Sequence, residues 1–519
     1  MIRSTFSGFT TAQLAMAASQ RALDVTGQNI ANINTPGYTK QRLDIASLNT
    51  QGANFYNSDN NIRVGYGVHM TGISQLRDPF LDTQYRSQIG KLGTTDAHAA
   101  SFEQLAPIFD ETSKDGILSA LNNITSSLDK LSSQVGNQEF DTMVRSNMQI
   151  LLNLFRDNAN RLADVRTDTT NGFKTTDVSD VNEMLENIAN LNTSIKNSQI
   201  LGNPALELQD QRNDLLDQLA SYLPISVKYS DQEVGPGQFV EVLDVTFTAS
   251  DGTKYSLISD GNYGSLDADI TGQPVRLSLT DSKGNAGTDI TDRLSNGTLK
   301  GTLDFLNKSG DFDNSDFKGL GYYEKALDSL VNEFATKFNE LNQPKIKDGQ
   351  GNIIDDPNNK NPLFETTDGS TTFTASNIKI AEGWLNGSYG ITASKDFSSG
   401  DIGSTAHDNI DAMIKAMDDS WDFTVGNTTF FKGSFYECFN NISTTLAIDT
   451  KSANTILENQ ISVLNQTANS RDAVSGVQLD EEGMDLMHYN QSYTAAARLM
   501  TTLDEALDVL INKTGVVGR

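Results

Sequence analysis

Sulfur cross-links are missing from this sequence: one cysteine, Cys438, occurs in 519 residues. A chain stapled by disulfides carries an even set, so stability here has to come from packing alone. Cys438 sits on a helical pattern beside Phe435, Phe439 and Ile442, which reads as a buried, inert thiol. Proline is scarce as well. There are ten, with none between Pro107 and Pro204 and none after Pro362, and these two gaps are free to be helical. Positive charge is in short supply, with 39 Lys and Arg against 67 acidic residues and a net charge of -28. Such a field repels nucleic acid and anionic lipid, and no Lys/Arg cluster offsets it. No apolar run is long enough to span a bilayer, so membrane insertion is not expected. The start, Met1-Ile2-Arg3-Ser4-Thr5-Phe6-Ser7-Gly8, lacks an apolar signal core, so export through a cleaved secretory leader is not expected either.

Recognisable chemistry is also sparse. The four histidines, His69, His98, His407 and His488, make no pair at metal-ligand spacing, and no zinc, phosphate-loop, dinucleotide or nucleophile-elbow motif occurs. Asp311-Phe312-Asp313-Asn314-Ser315-Asp316 has calcium-like acids but neither the sixth-position glycine nor a terminal glutamate, so it reads as a solvated loop. Asp348-Gly349-Gln350-Gly351-Asn352 reads as a turn. No cofactor, metal site or catalytic residue is expected.

What the sequence does have is periodicity. Leu486, Tyr489, Tyr493, Ala496, Met500, Leu503, Leu507 and Leu510 alternate at spacings of three and four, a heptad stripe. Ile2, Phe9, Ala12, Met16, Leu23, Ile30 and Ile33 follow the same alternation at the other end, with Thr5, Ser19 and Thr26 as polar interruptions. That helix is expected to stop at Thr35-Pro36-Gly37-Tyr38. The acids Asp480-Glu481-Glu482 stand before a helix expected near Met484, where its dipole favours them.

Further helical spacing runs through Ile117 to Leu131, Val144 to Val165, Val181 to Ile195, Leu206 to Tyr222, Leu327 to Leu341 and Phe435 to Ala468. Residues 225–305 alternate in short bursts such as Val240 to Phe247, broken by Asp251-Gly252 and Asp260-Gly261, and read as strands. A hairpin is expected at Asn61 to Ile73.

The fold class expected is α+β and multidomain, with paired, coiled-coil-like terminal helices and a helical shaft bearing β-rich insertions. Residues 1–40 with 480–519 form the terminal assembly domain, and 41–222 with 306–343 and 402–479 the shaft. Residues 223–305 form an inserted β domain and 344–401 a second, smaller insertion.

An amphipathic helix alone cannot hide its stripe. Burying a large apolar side chain contributes roughly 1.5–3 kcal/mol, so eight positions represent on the order of 10 kcal/mol at most. The two termini can serve each other, but one antiparallel pair leaves outer faces wet, and repeated subunits would cover them.

Ala31-Asn32-Ile33-Asn34-Thr35-Pro36-Gly37-Tyr38, with Phe6-Ser7-Gly8-Phe9 and Asp24 to Ile30 before it, resembles the N-terminal signature of flagellar rod, hook and hook-associated proteins. Leu208-Gln209-Asp210-Gln211-Arg212-Asn213-Asp214-Leu215-Leu216-Asp217-Gln218-Leu219 and Ser475-Gly476-Val477-Gln478-Leu479-Asp480-Glu481-Glu482 look like segments of the hook-filament junction members of that family. The resemblance thins over residues 225–401.

It implies a structural subunit of the bacterial flagellum, exported unfolded through the type III apparatus. It implies self-association into a ring or helical layer between hook protein and a second junction protein. A dedicated export chaperone would guard the C-terminal helix. The assembly interface implied is Phe9, Met16, Leu23 and Ile30 with Leu486, Tyr489, Tyr493, Met500, Leu503, Leu507 and Leu510. Ala31, Asn32, Thr35, Pro36, Gly37 and Tyr38 form the family motif. Three alternatives stand beside it: a hook or distal rod protein, a hydrolase in the β insertion, and a surface-binding module there. The absence of histidine between His98 and His407 weakens the hydrolase.

Overall fold

The computed structural model describes residues 6–48, 65–110, 116–236, 238–309, 317–350, 352–357, 360–395 and 406–513. The chain opens with helix α1 (Phe6–Ala31), a hairpin of β1 (Gln41–Ser47) and β2 (Val68–Gln75), and helix α2 (Pro79–Leu105). Helices α3 (Ile117–Ser133), α4 (Gln138–Gly172), α5 (Val178–Ile200) and α6 (Leu206–Tyr222) follow.

Next comes a four-stranded antiparallel sheet of β3 (Ile225–Gly235), β4 (Gln238–Thr248), β5 (Lys254–Ser259) and β6 (Asn262–Tyr263). A three-stranded sheet of β7 (Ser265–Asp269), β8 (Arg276–Thr280) and β9 (Thr288–Asp289) succeeds it. Helices α7 (Thr298–Asn307) and α8 (Leu320–Asn342) lead to two small hairpins, β10 (Lys345–Lys347) with β11 (Ile353–Asp355) and β12 (Phe364–Thr366) with β13 (Ile378–Ile380). Then come α9 (Glu382–Leu385), α10 (Asp408–Asp418), the hairpin β14 (Trp421–Val425) and β15 (Thr428–Gly433), and the long helices α11 (Phe435–Ser475) and α12 (Leu479–Asp508).

Between Gln138 and Ile200 the helix never breaks. Residues Phe173–Asp177 form a π turn that joins α4 to α5. The reason lies in the buried stripe. Thr170 and Phe173 face inward from one side of the turn, and Val178 and Val181 from the other. The step from 173 to 178 is one residue too long for α-helical spacing, and a π turn absorbs one extra residue. The sequence pattern reads as two helices because the period slips there.

The shaft is α2 packed antiparallel along α11. Asp82 lies near Arg471 at one end, and the Phe109 carbonyl accepts from Ser443 Oγ at the other. A Ser434–Glu437 capping box starts α11, and Asp78 with Pro79 starts α2. Helix α2 has no clean apolar period, which is why the sequence reading passes over it. Its inward face mixes Asp82, Arg86, Ser101, Phe102 and Leu105 with Gly90 and Gly93. A Cβ at Gly93 would strike the Ser221 carbonyl of α6, so glycine there permits the helices to approach closely.

Beside the shaft, α3, α4, α8, α10 and α11 enclose a core centred on Phe334, Phe338, Phe364 and Phe435. Three expectations need correction. The strand-rich stretch ends at Asp289, and Thr298–Asn307 is a helix whose Leu299, Leu303 and Leu306 pack into the body. The 402–479 stretch, expected to be helical, also carries the β14–β15 hairpin. The hairpin near the N-terminus pairs Gln41–Ser47 with Val68–Gln75, so its first strand lies upstream of the expected one. Asn61 to Val64, Asp311 to Asp316 and Gly351 fall outside the described residues. Asp348 accepts from the backbone N–H of Gln350 and Asn352, the expected turn.

Candidate functional site

Helix α1 carries small residues along one line: Ala12, Ala15, Ser19, Ala22, Thr26 and Asn29 alternate at three and four. All but Ala15 are buried. Small side chains let a second helix come close, and α12 fills that role. Asn29 meets Glu482 at one end and Gly8 meets Leu503 at the other, so the pair is antiparallel. The inward line of α12 is Glu482, Asp485, Tyr489, Ser492, Ala496, Met500, Leu503 and Leu507. Ser19 and Thr26, read from sequence as interruptions, lie buried in this seam. α12 begins at Leu479, so Asp480, Glu481 and Glu482 are its first turn rather than a segment before it.

The structure separates the expected interface residues into two groups. Tyr489, Met500, Leu503 and Leu507 turn toward α1, half-buried within the pair. Phe9, Met16, Leu23 and Ile30 recur every seven residues on the flank of the α1 seam, also half-buried. Leu486 and Tyr493 recur every seven on the flank of α12 and are exposed, as is Leu510 near its end. In an antiparallel heptad pair like flanks meet on the same side, so the α1 row and the Leu486–Tyr493 row share one face. The β1–β2 hairpin covers the opposite side of α1, where Ala17, Arg21, Leu43, Met70 and Ile73 line a groove.

The family motif forms the base of the pair. α1 ends at Ala31, and a turn over 32–37 follows, with Gly37 at φ 74°, a left-handed conformation suited to glycine. Asn32, Thr35 and Pro36 shape this turn: Thr35 Oγ1 donates to Asn32 Oδ1, and the Tyr38 N–H donates to the Thr35 carbonyl. Asn29 then ties the returning chain, donating to the Gln41 carbonyl (3.0 Å) and accepting from Gln41 N–H (3.0 Å) and Tyr38 Oη–H (2.9 Å). Its amide also donates to Glu482 Oε2 at 3.2 Å. Lys40 Nζ stands 3.1 Å from Glu482 and 2.9 Å from Glu481. Burial works against the Lys40 charge, but its hydrogen bonds to Glu481 and Glu482 outweigh it and hold the ammonium pKa above its ordinary value. Burial, with the carboxylates of Asp210, Glu207 and Glu482, pushes the Tyr38 phenol up to about 12.

The segment that leads into β1 also grips the body. Asp210 of α6 accepts from the Thr39 hydroxyl (2.6 Å) and N–H (3.2 Å). Burial raises the Asp210 pKa despite these bonds. The Lys40 N–H donates to the Ser475 carbonyl, at the end of α11. Alongside lies a polar cleft of about 440 Å³ lined by Tyr38, Arg77, Tyr85, Asp217 and Arg471. Its cations are committed. Arg77 pairs with Asp82, Arg86 and Arg471 both pair with Asp217, and Arg471 stacks 3.8 Å above the Tyr85 ring. The Leu208 to Leu219 segment therefore acts through Asp210 and Asp217, two roles that no spacing rule reveals.

Ser132, His407 and Asp411 come together on the surface. The Ser132 hydroxyl and the Asp411 carboxylate both address His407 Nδ1, at 3.2 and 2.7 Å. A hydrolytic triad needs them on opposite ring nitrogens, so this cluster cannot activate the serine. Burial pushes the Cys438 thiol well above its ordinary pKa, which leaves it inert. Among the described residues, no three His, Cys, Asp or Glu side chains converge as a metal site.

Comparison with known proteins covers nearly the whole chain. Residues 102–353 match the flagellar hook-associated protein FlgK helical domain, 9–39 the flagella basal body rod protein, and 470–513 the flagellar basal body rod FlgEFG protein C-terminal domain. Flagellar hook-associated protein 1 of Bacillus subtilis (strain 168) is 29% identical over 533 residues, spanning 99% of this chain and 100% of that one. Its counterpart in Escherichia coli (strain K12) is 25% identical over 579 residues, spanning 96% and 98%. The flagellar hook junction protein FlgK from Burkholderia pseudomallei has the same fold, with a TM-score of 0.55 at 13% identity, covering 76% of this chain and all of that one. Small-residue terminal pairing, the motif at its base and these likenesses agree: over nearly its full length the chain is similar to flagellar hook-associated protein 1.

Proposed function

We propose that this protein is a structural subunit of the extracellular flagellum that joins hook to filament by stacking its terminal helix pair against neighbouring copies, without catalytic activity. The observation that carries this reading is the apolar face of that pair. Phe9, Met16, Leu23 and Ile30 lie beside Leu486 and Tyr493, and burial within one chain is incomplete along the whole row. A second copy of the pair is the surface that would complete it. The structural names of the relatives support the absence of catalysis.

The finer assignments rest on the family resemblance, with which this face is compatible. Hook protein and a second junction protein flank the layer, and an export chaperone covers α12 beforehand. Passage through a narrow export channel requires an unfolded chain, and one without disulfides meets that requirement. The direct test is deletion of residues 484–519. We expect the truncated protein to keep a folded body but fail to form layers or to enter the hook-filament junction in cells. Normal incorporation of the truncated chain overturns the assembly surface.

A further inference from the structure

The terminal seam is nearly degenerate under a shift of one heptad. Ala12, Ser19 and Thr26 repeat every seven residues along α1, as do Ala15 and Ala22, and all are small. Along α12 Tyr489, Ala496, Leu503 and Leu510 repeat every seven. Sliding α12 by one heptad replaces Leu503 opposite Gly8 with Leu510 or Ala496, and small residues still face apolar ones. Hydrophobic contact alone therefore discriminates poorly among registers.

Asp485 and Ser492 are half-buried polar residues on the neighbouring row, but one fully buried charge breaks the repeat. Glu482 lies seven residues before Tyr489 on the same line and is 1% exposed. Its two oxygens are read separately: Oε2 by the Asn29 amide and Oε1 by the Lys40 ammonium. Asn29 in turn is held by Gln41 and Tyr38, and Lys40 by its backbone bond to Ser475, so the readers themselves cannot drift. Move α12 outward by a heptad and the buried Glu482 carboxylate faces Ala22, while the buried Asn29 amide and the partly exposed Lys40 ammonium lose their partner. A buried charge stripped of its counter-ion is strongly unfavourable, whereas replacing both ions by apolar groups is often neutral.

We propose that Glu482 is the register-setting residue of the terminal helix pair, recognised by Lys40 and Asn29, and that it serves alignment rather than cohesion. Its consequence for layers rests on the assembly reading above, because only a pair in one register presents one apolar face. The claim itself concerns the monomer, so it fails or stands independently of assembly.

The test uses the full-length monomer in a Cys438→Ala background with Gly8→Cys and a second cysteine at 503 (native register), 496 or 510 (slipped by one heptad). Oxidative cross-linking is compared between the parent and the Lys40→Met/Glu482→Leu double variant. Hydrogen exchange of α12 reports whether the helix stays docked. We expect only the 8–503 cross-link in the parent. In the double variant we expect a docked helix, with the ratio of slipped to native cross-links raised at least about tenfold. A double variant that stays docked and gives only the 8–503 product overturns the proposal, because the connectors then set the register. Loss of α12 protection in that variant also overturns it, because the pair would then supply cohesion.

Discussion

Helix α8 and helix α12 have similar lengths and opposite economies of burial. α8 buries thirteen of its 23 residues, including Phe334 and Phe338, among side chains of its own chain. α12 buries two of 30, Glu482 and Ala496. One helix is finished by the monomer and the other is not. The difference lies in side-chain size at the interface: α8 meets rings and branched aliphatics, whereas α12 meets a line of alanine, serine and threonine. Close approach on small residues leaves the large apolar groups on the flanks, available to other copies.

The contrast predicts two separable stabilities, and the largest effect belongs to the body. Phe334 has no exposure and lies 4.6 Å from the Phe338 ring, 5.3 Å from Phe435 and 5.5 Å from Phe364, centroid to centroid. Phe334→Ala leaves a cavity among rings and should cost about 3–5 kcal/mol in denaturant unfolding of the body. Hydrogen exchange of α12, measured well below the transition, should not change. Equal loss of protection in α12 would join the two regions into one cooperative unit and end the comparison.

What sequence reveals of the two regions follows from the same physics. The α12 stripe is legible because its residues are large and apolar at strict heptad spacing. The α1 seam is misread by about one position, since Met16 and Leu23 outweigh Ala15, Ser19 and Ala22 on any hydrophobicity measure. Glu482 reads as a helix-dipole acid from sequence, although it falls on the line of Tyr489, Ala496 and Leu503, and that placement was the available signal. In the body, α2 escapes detection because its buried face includes Asp82, which pairs with Arg77, and Arg86, which Asp217 satisfies from far along the chain. The π turn hides in a period that slips by one residue. Pairing across long sequence distances, as between Thr39 and Asp210, has no local trace.

A smaller effect tests the terminal pair itself. Ala22 is buried in the seam between α1 and α12. Ala22→Leu overpacks the seam and should cost about 1–3 kcal/mol locally. It should appear as faster exchange across residues 485–507, with the body's denaturation midpoint moved by less than about 0.5 kcal/mol. An undisturbed α12 would mean that the seam is loosely packed and that small residues are not what brings α1 and α12 together.

The smallest effect on folding carries the sharpest statement about faces. Leu486 and Met487 are chain neighbours, 39% and 58% exposed. One helical step turns them about 100° apart. Leu486 lies on the flank shared with Phe9, Met16, Leu23 and Ile30, and Met487 points directly away from α1. Substituting either with glutamine removes little buried area, so monomer unfolding should shift by no more than about 0.5 kcal/mol in both cases. Assembly should separate them. On the proposed assembly, Leu486→Gln places an amide in the face that a second copy would cover, and should raise the concentration needed for layer formation at least about tenfold, the equivalent of about 1.4 kcal/mol per contact. Met487→Gln should leave that concentration unchanged. Equal behaviour of the two variants would mean that the helix pair is surrounded by copies on all sides rather than stacked through one face, and the contrast between a finished body and a one-sided terminal pair would have to be redrawn.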